Sequence, residues 1–131
     1  MYPVTATIGA TPYLTEITSE SGVAFIADEP VSMGGGNTGP SPSELLNAAL
    51  AACTDITLRM YAERKKWNLT SVKTTVSYER DSKANTTTMK REIILSGDLT
   101  AEQRQRLLDI ANRCPIHEVL KNPVTIETTA E

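Results

Sequence analysis

Gly39-Pro40-Ser41-Pro42-Ser43-Glu44-Leu45-Leu46-Asn47-Ala48-Ala49-Leu50-Ala51-Ala52-Cys53-Thr54 is the stretch on which the fold turns. Ser41 offers an N-cap hydroxyl, Pro42 suits the first helical position, and Glu44 stands where its carboxylate reaches back to the Ser41 amide. The three make a capping box. From there to about Lys66 nothing breaks a helix. Residues 45–52 are apolar almost all the way round, which predicts a helix buried on most sides. The later turns become amphipathic and end in Glu63-Arg64-Lys65-Lys66, cations that suit the negative end of the macrodipole.

Working outward, residues 2–28 alternate in short pieces such as Val4-Thr5-Ala6-Thr7-Ile8 and Val23-Ala24-Phe25-Ile26-Ala27. Gly9, Pro12 and Ser21-Gly22 interrupt them, predicting two or three short antiparallel strands. Met33-Gly34-Gly35-Gly36-Asn37-Thr38-Gly39-Pro40 reads as a loop. Its glycines lack the pattern of a phosphate-binding P-loop. On the other side of the helix, residues 72–80 and 86–95 alternate around the polar link Asp81-Ser82-Lys83-Ala84-Asn85, a hairpin. Thr100 and Gln103 cap a second helix that runs to about Asn112. Pro115 opens a short third helix, and residues 124–128 complete the order as a last strand. The expectation is one α+β domain over residues 1–131, with a long buried central helix against a mostly antiparallel sheet.

Composition narrows the chemistry. The 131 residues hold 13 Lys+Arg against 16 Asp+Glu, one His and two Cys. One His and two Cys exclude an H-E-x-x-H zinc site, a zinc ribbon and a disulfide framework. One Phe, one Trp and four Tyr at a net charge of −3 argue against nucleic-acid binding, which needs a basic face with stacking rings. No apolar run is long enough to cross a bilayer. The first five residues carry no secretory signature, so the expected location is cytoplasmic, where two free thiols stay reduced. No cofactor is expected.

Reactivity then falls on Cys53, Cys114 and His117. At about 100° per residue, Cys53 shares its helix face with Ala49, Leu50, Thr57 and Met60, so its thiol is expected to lie deep. It reads either as a small core side chain or as a thiol that needs a cation nearby to ionise. Cys114 sits at a helix N-cap before Pro115, where unpaired N–H groups and the dipole favour a thiolate, with His117 three residues on. A half-buried structural Cys is the other reading. Cys114-x-x-His117 also has the spacing of half a zinc site, but with Cys53 it supplies only three protein ligands. Glu44 points away from Cys53, and Asp55 lies off its face.

Together these pieces resemble the OsmC/Ohr family, the osmotically inducible protein C and organic hydroperoxide resistance proteins. Gly39-Pro40-Ser41-Pro42-Ser43-Glu44-Leu45-Leu46 followed by Ala51-Ala52-Cys53-Thr54 is similar to its central-helix signature. Cys114-Pro115-Ile116-His117 resembles its second-cysteine motif, and Pro123-Val124-Thr125-Ile126 its final strand. The resemblance implies an intertwined homodimer with paired central helices and sites at the interface. It implies thiol peroxidase activity toward organic hydroperoxides in antioxidant stress response. Cys53 matches the attacking position, Cys114 the resolving one, and an external dithiol restores both.

Two departures accompany it. The family's peroxidases carry a Glu where Ser43 stands, and an Arg in the N-terminal strands or the loop after them. Here no Arg precedes Arg59. Arg59, Arg64 or Arg91 is left to substitute, with Ser43 and His117 as further auxiliary groups. The alternative function is a redox-sensing or ligand-binding dimer of the same fold without efficient peroxidase turnover.

Overall fold

Ser41 and Glu44 close their capping box as the spacing predicts: the Ser41 amide donates to Glu44 Oε1 at 3.0 Å and the Glu44 amide to Ser41 Oγ at 3.2 Å. The helix they start, α1, spans Pro42–Lys65 in the computed structural model, which describes residues 1–131. Before it come β1 (Val4–Ile8), β2 (Thr15–Ser19), β3 (Ala24–Ala27) and a 3-10 turn at Val31–Met33. After it come β4 (Asn68–Asp81), β5 (Thr86–Asp98), α2 (Ala101–Ala111) and α3 (Pro115–Lys121). The chain divides into two compact units, Met1–Leu46 and Asn47–Glu131.

In the first unit β1, β2 and β3 form an antiparallel sheet in sequence order, burying Ile17 and Ala27. The glycine-rich loop is organised by Asp28, which is itself buried. Its carboxylate accepts from the amides of Glu29 (2.8 Å), Gly36 (3.3 Å) and Thr38 (3.2 Å) and from the Thr38 hydroxyl (2.5 Å). Led by the Thr38 hydroxyl, these bonds hold the Asp28 carboxyl down to about 2. Glycine is required at Gly39, where a Cβ would meet the Ile26 carbonyl oxygen at 1.9 Å.

In the second unit α1 ends in a Schellman motif. The Lys66 amide donates to the Glu63 carbonyl at 3.1 Å and the Trp67 amide to the Ala62 carbonyl at 2.9 Å, with Lys66 at φ 59°. Leu58 and Ala62 of α1, Leu69 of β4, and Leu107, Ile110 and Ala111 of α2 form the core, against which Val72, Ile93 and Leu95 of the hairpin pack. A long helix on an antiparallel hairpin is the expected α+β arrangement. The hairpin is longer than the alternation predicts, pairing Asn68 with Asp98 at its open end. Two guanidinium groups secure carbonyls there: Arg59 donates to Leu69 (2.6 Å) and Thr70 (3.3 Å), and Arg104 to Leu95 (2.9 Å) and Gly97 (3.0 Å). Thr100 and Gln103 form the predicted cap of α2.

Two expectations are corrected. Within the chain, α1 is not buried on most sides. Over residues 45–52 only Leu50 is buried, while Leu46, Ala48, Ala49 and Ala52 are exposed. The helix buries the stripe Leu50, Thr54, Leu58 and Ala62 and leaves Ile56 (59%) and Met60 (56%) exposed, because the hairpin and α2 cover one face only. Residues 124–128 form no strand despite their alternation. β4 and β5 pair only with each other, so residues 124–128 add no strand to their open edges within the chain, and Val124 and Ile126 remain exposed.

Candidate functional site

The second unit brings Cys53 and Cys114 together, their sulfurs 3.1 Å apart and unbonded. Cys53 rides on α1 one residue before Thr54, the buried polar group of that helix. Its thiol is half-buried rather than deep, because its helix-face neighbours Ala49, Ile56 and Met60 are exposed. Cys114 is the N-cap of α3, as the sequence predicts, and accepts from the His117 amide at 3.3 Å. It is fully buried beneath the core formed by α2.

These surroundings correct the local expectation that the N-cap position favours a Cys114 thiolate. Burial pushes its pKa above the ordinary thiol value, and the hydrogen bond with Cys53 pushes it further by favouring the protonated donor. The His117 amide pulls the other way and does not prevail, since one weakly polar contact cannot replace water around a buried anion.

Arg91 reaches in from β5. Its Nη1 donates to Thr54 Oγ1 and to the Ala111 carbonyl, both at 3.2 Å, and its Nη2 to Asn112 Oδ1 at 2.7 Å. Beside it the His117 imidazole is held below its ordinary pKa, by burial first and by the Arg91 charge second, so it is neutral at pH 7. Both line a cavity of about 270 Å³ whose other walls include Leu50, Met89, Leu120 and Lys121. Neither cysteine lines that hollow, and Arg91 is the link, lining it while bonding Thr54 beside Cys53.

The remaining sequence candidates lie elsewhere. Arg59 is spent on the carbonyls that open β4. Ser43 stands exposed in the first turn of α1, in the first unit. Glu44 is held by Ser41, and those bonds keep its carboxyl below the usual range. Asp55 accepts from Thr74 Oγ1 at 2.5 Å. No group of three or more His, Cys, Asp or Glu gathers as metal ligands, so Cys53, Cys114 and His117 do not form a metal site. Sequence reasoning missed Thr54 and Asn112. Thr54 shares a helix stripe with Leu50 and Leu58, the available signal for its burial, whereas Asn112 reads only as the end of α2.

A family model described as OsmC-like protein matches residues 34–129. The chain belongs to the OsmC-like family. Solved structures agree on the fold. The OsmC-like protein of Mycoplasma pneumoniae superposes with a TM-score of 0.77 at 19% identity, over 92% of this chain and 87% of its own. The organic hydroperoxide resistance protein OhrB of Bacillus subtilis gives 0.65 at 26% identity, over 92% and 90%. That of Elizabethkingia anophelis gives 0.69 at 23%, over 92% and 88%. No curated protein matches the chain. No helix of this OsmC-like protein is long and apolar enough to cross a membrane.

Proposed function

We propose that this OsmC-like protein is a thiol-dependent peroxidase that reduces organic hydroperoxides, with Cys53 attacking and Cys114 resolving. The contact between the half-exposed Cys53 sulfur and the buried, protonated Cys114 sulfur carries this reading. The Cys53 thiolate attacks the outer oxygen of the O–O bond and takes it as a sulfenic acid, while the alkoxide leaves and is protonated to the alcohol. The Cys114 sulfur then attacks the Cys53 sulfur, forming the disulfide and releasing water. An external dithiol reduces that disulfide by exchange and becomes a disulfide itself. The likeness to organic hydroperoxide resistance proteins supports the substrate class.

The working unit is a homodimer in which each chain acts as one functional domain. The exposed Ile56 and Met60, on the same face of α1 as Cys53, support it, since an apolar helix face beside a reactive thiol is suited to burial by a second copy. A cycling thiol pair belongs in a reducing compartment, which supports a cytoplasmic, antioxidant role.

One observation favours a second reading, a redox-sensing or ligand-binding dimer without efficient turnover. Arg91 and Arg59 spend their hydrogen bonds on oxygens rather than on sulfur. The test mixes reduced protein with cumene hydroperoxide and counts free thiols. Loss of two thiols per chain, with none lost rapidly in Cys53→Ser, is expected. Thiol loss no faster than in that variant overturns the peroxidase. Fast oxidation of Cys53 that no dithiol reverses to give further turnover selects the sensor.

A further inference from the structure

One guanidinium ties together the two segments that carry the thiols. Arg91, on β5, bonds Thr54 of α1 through Nη1, and through Nη1 and Nη2 it bonds Ala111 and Asn112 at the end of α2. Both ends of this tie are anchored. Thr54 adjoins Cys53, is fully buried, and donates its hydroxyl to the Leu50 carbonyl at 2.7 Å. The Ala111 carbonyl also accepts from the Cys114 amide at 3.3 Å, so the Arg91 fork holds an oxygen that itself holds the Cys114 backbone. A planar guanidinium with donors fixed in one fork can impose a distance between two elements, and a flexible ammonium cannot.

We infer that Arg91 is a positioning residue that sets the separation of the Cys53 and Cys114 sulfurs for disulfide closure. This rests on the thiol-pair half of the proposed function and not on the choice of peroxide. In closure by glutathione disulfide, the two thiols lose two protons and two electrons. One intramolecular disulfide forms, the glutathione S–S bond breaks, and two glutathione thiols are released. The equilibrium measures how well the folded chain holds its sulfurs together, since it reads the effective concentration of one thiol at the other.

The full chain is equilibrated across a series of glutathione to glutathione disulfide ratios, and the Cys53–Cys114 disulfide is quantified by mass, with the Tm recorded alongside. Arg91→Met and Arg91→Lys are expected to lower the effective thiol concentration about tenfold or more. Asn112→Ala, which removes only the 2.7 Å bond, moves it less and in the same direction. Arg104→Met is the control, since Arg104 makes the same kind of fork to the Leu95 and Gly97 carbonyls. It lowers Tm without moving the redox equilibrium. The inference is overturned if Arg91→Lys keeps the wild-type value, which would make charge alone sufficient. It is equally overturned if Asn112→Ala and a folded Arg91→Met leave the equilibrium in place, or if Arg104→Met shifts it as far. If glutathione closes the wild-type disulfide while hydroperoxide does not oxidise Cys53, the peroxidase reading fails and this one stands. If no wild-type disulfide forms, both fail.

Discussion

The sulfurs of Cys53 and Cys114 lie 3.1 Å apart, although 61 positions separate them in the chain. Packing brings them together. Leu107, Ile110 and Ala111 seat the end of α2 in the same core as Leu58 and Ala62 of α1, and the Cys114 amide, three residues on, bonds back to the Ala111 carbonyl, which places its thiol against Cys53. The two thiols end in different surroundings, Cys114 without contact with solvent and Cys53 partly open to it. A peroxide can reach only the second. Burial and the contact with Cys53 favour the protonated Cys114, and on the proposed mechanism this would divide the labour between two chemically identical groups.

That division predicts the behaviour of Cys114→Ser. With hydroperoxide, Cys53 is still oxidised, but no partner condenses with it, so its sulfenic acid accumulates. Mass spectrometry after dimedone labelling is expected to find the adduct on Cys53 in the variant and a disulfide in the wild type. An adduct of equal yield in both proteins would remove Cys114 from the resolving role.

Asp28 sets an acid limit on the first unit. Its folded value of about 2 lies below the ordinary 3.8, so its bonds stabilise the folded state above 3.8. That stability is lost as pH falls through the window down to about 2. Asp28→Asn keeps the shape and loses the charge-assisted bonds to Thr38, Glu29 and Gly36. Urea midpoints across pH 6 to 2 are expected to be lower for the variant at pH 6. They should converge on the wild type toward pH 2.

How much of this was legible follows from the range of each interaction. Ser41 with Glu44, and Thr100 with Gln103, were readable because a cap is made within four residues. Cys114 as a helix cap was readable for the same reason, but its burial was not, since α2 and its distant core partners impose it. The exposed flank of α1 at Ile56 and Met60 was unreadable because apolarity states a preference for cover and not what supplies it. Residues 124–128 show the same gap, since alternation states a preference for a sheet edge and not whether the segment pairs with one. The pairing of Cys53 with Cys114 came from family resemblance, and no spacing rule could give it. Arg91 reaches Thr54 across 37 positions and Asn112 across 21, so its tie exists only once β5, α1 and α2 have packed.

Lys66 pays a local conformational cost to end α1. It occupies the left-handed region at φ 59°, where a Cβ crowds the backbone and glycine does not. Lys66→Gly relieves this, partly offset by the greater freedom of glycine in the unfolded chain. A net gain of about 0.5–1 kcal/mol is expected in chemical denaturation. Lys66→Ala keeps the Cβ and serves as the control, with no such gain.

The face of α1 that carries Cys53 leads to the last prediction. Ile56 and Met60 are 59% and 56% exposed, yet apolar side chains at this spacing form one stripe along the helix. A second copy covering that stripe would exclude water beside Cys53, where the proposed mechanism forms a sulfenic acid. Sedimentation of the wild type is expected to give a dimer, and Met60→Glu to shift it toward monomer by placing a charge in the contact. Because Met60 lies outside the buried core, the monomeric variant should keep its helical signal while its Cys53 becomes more open to over-oxidation. A wild type that sediments as a monomer would reject the covering copy. A dimer that Met60→Glu leaves intact would move the interface to another face of the molecule.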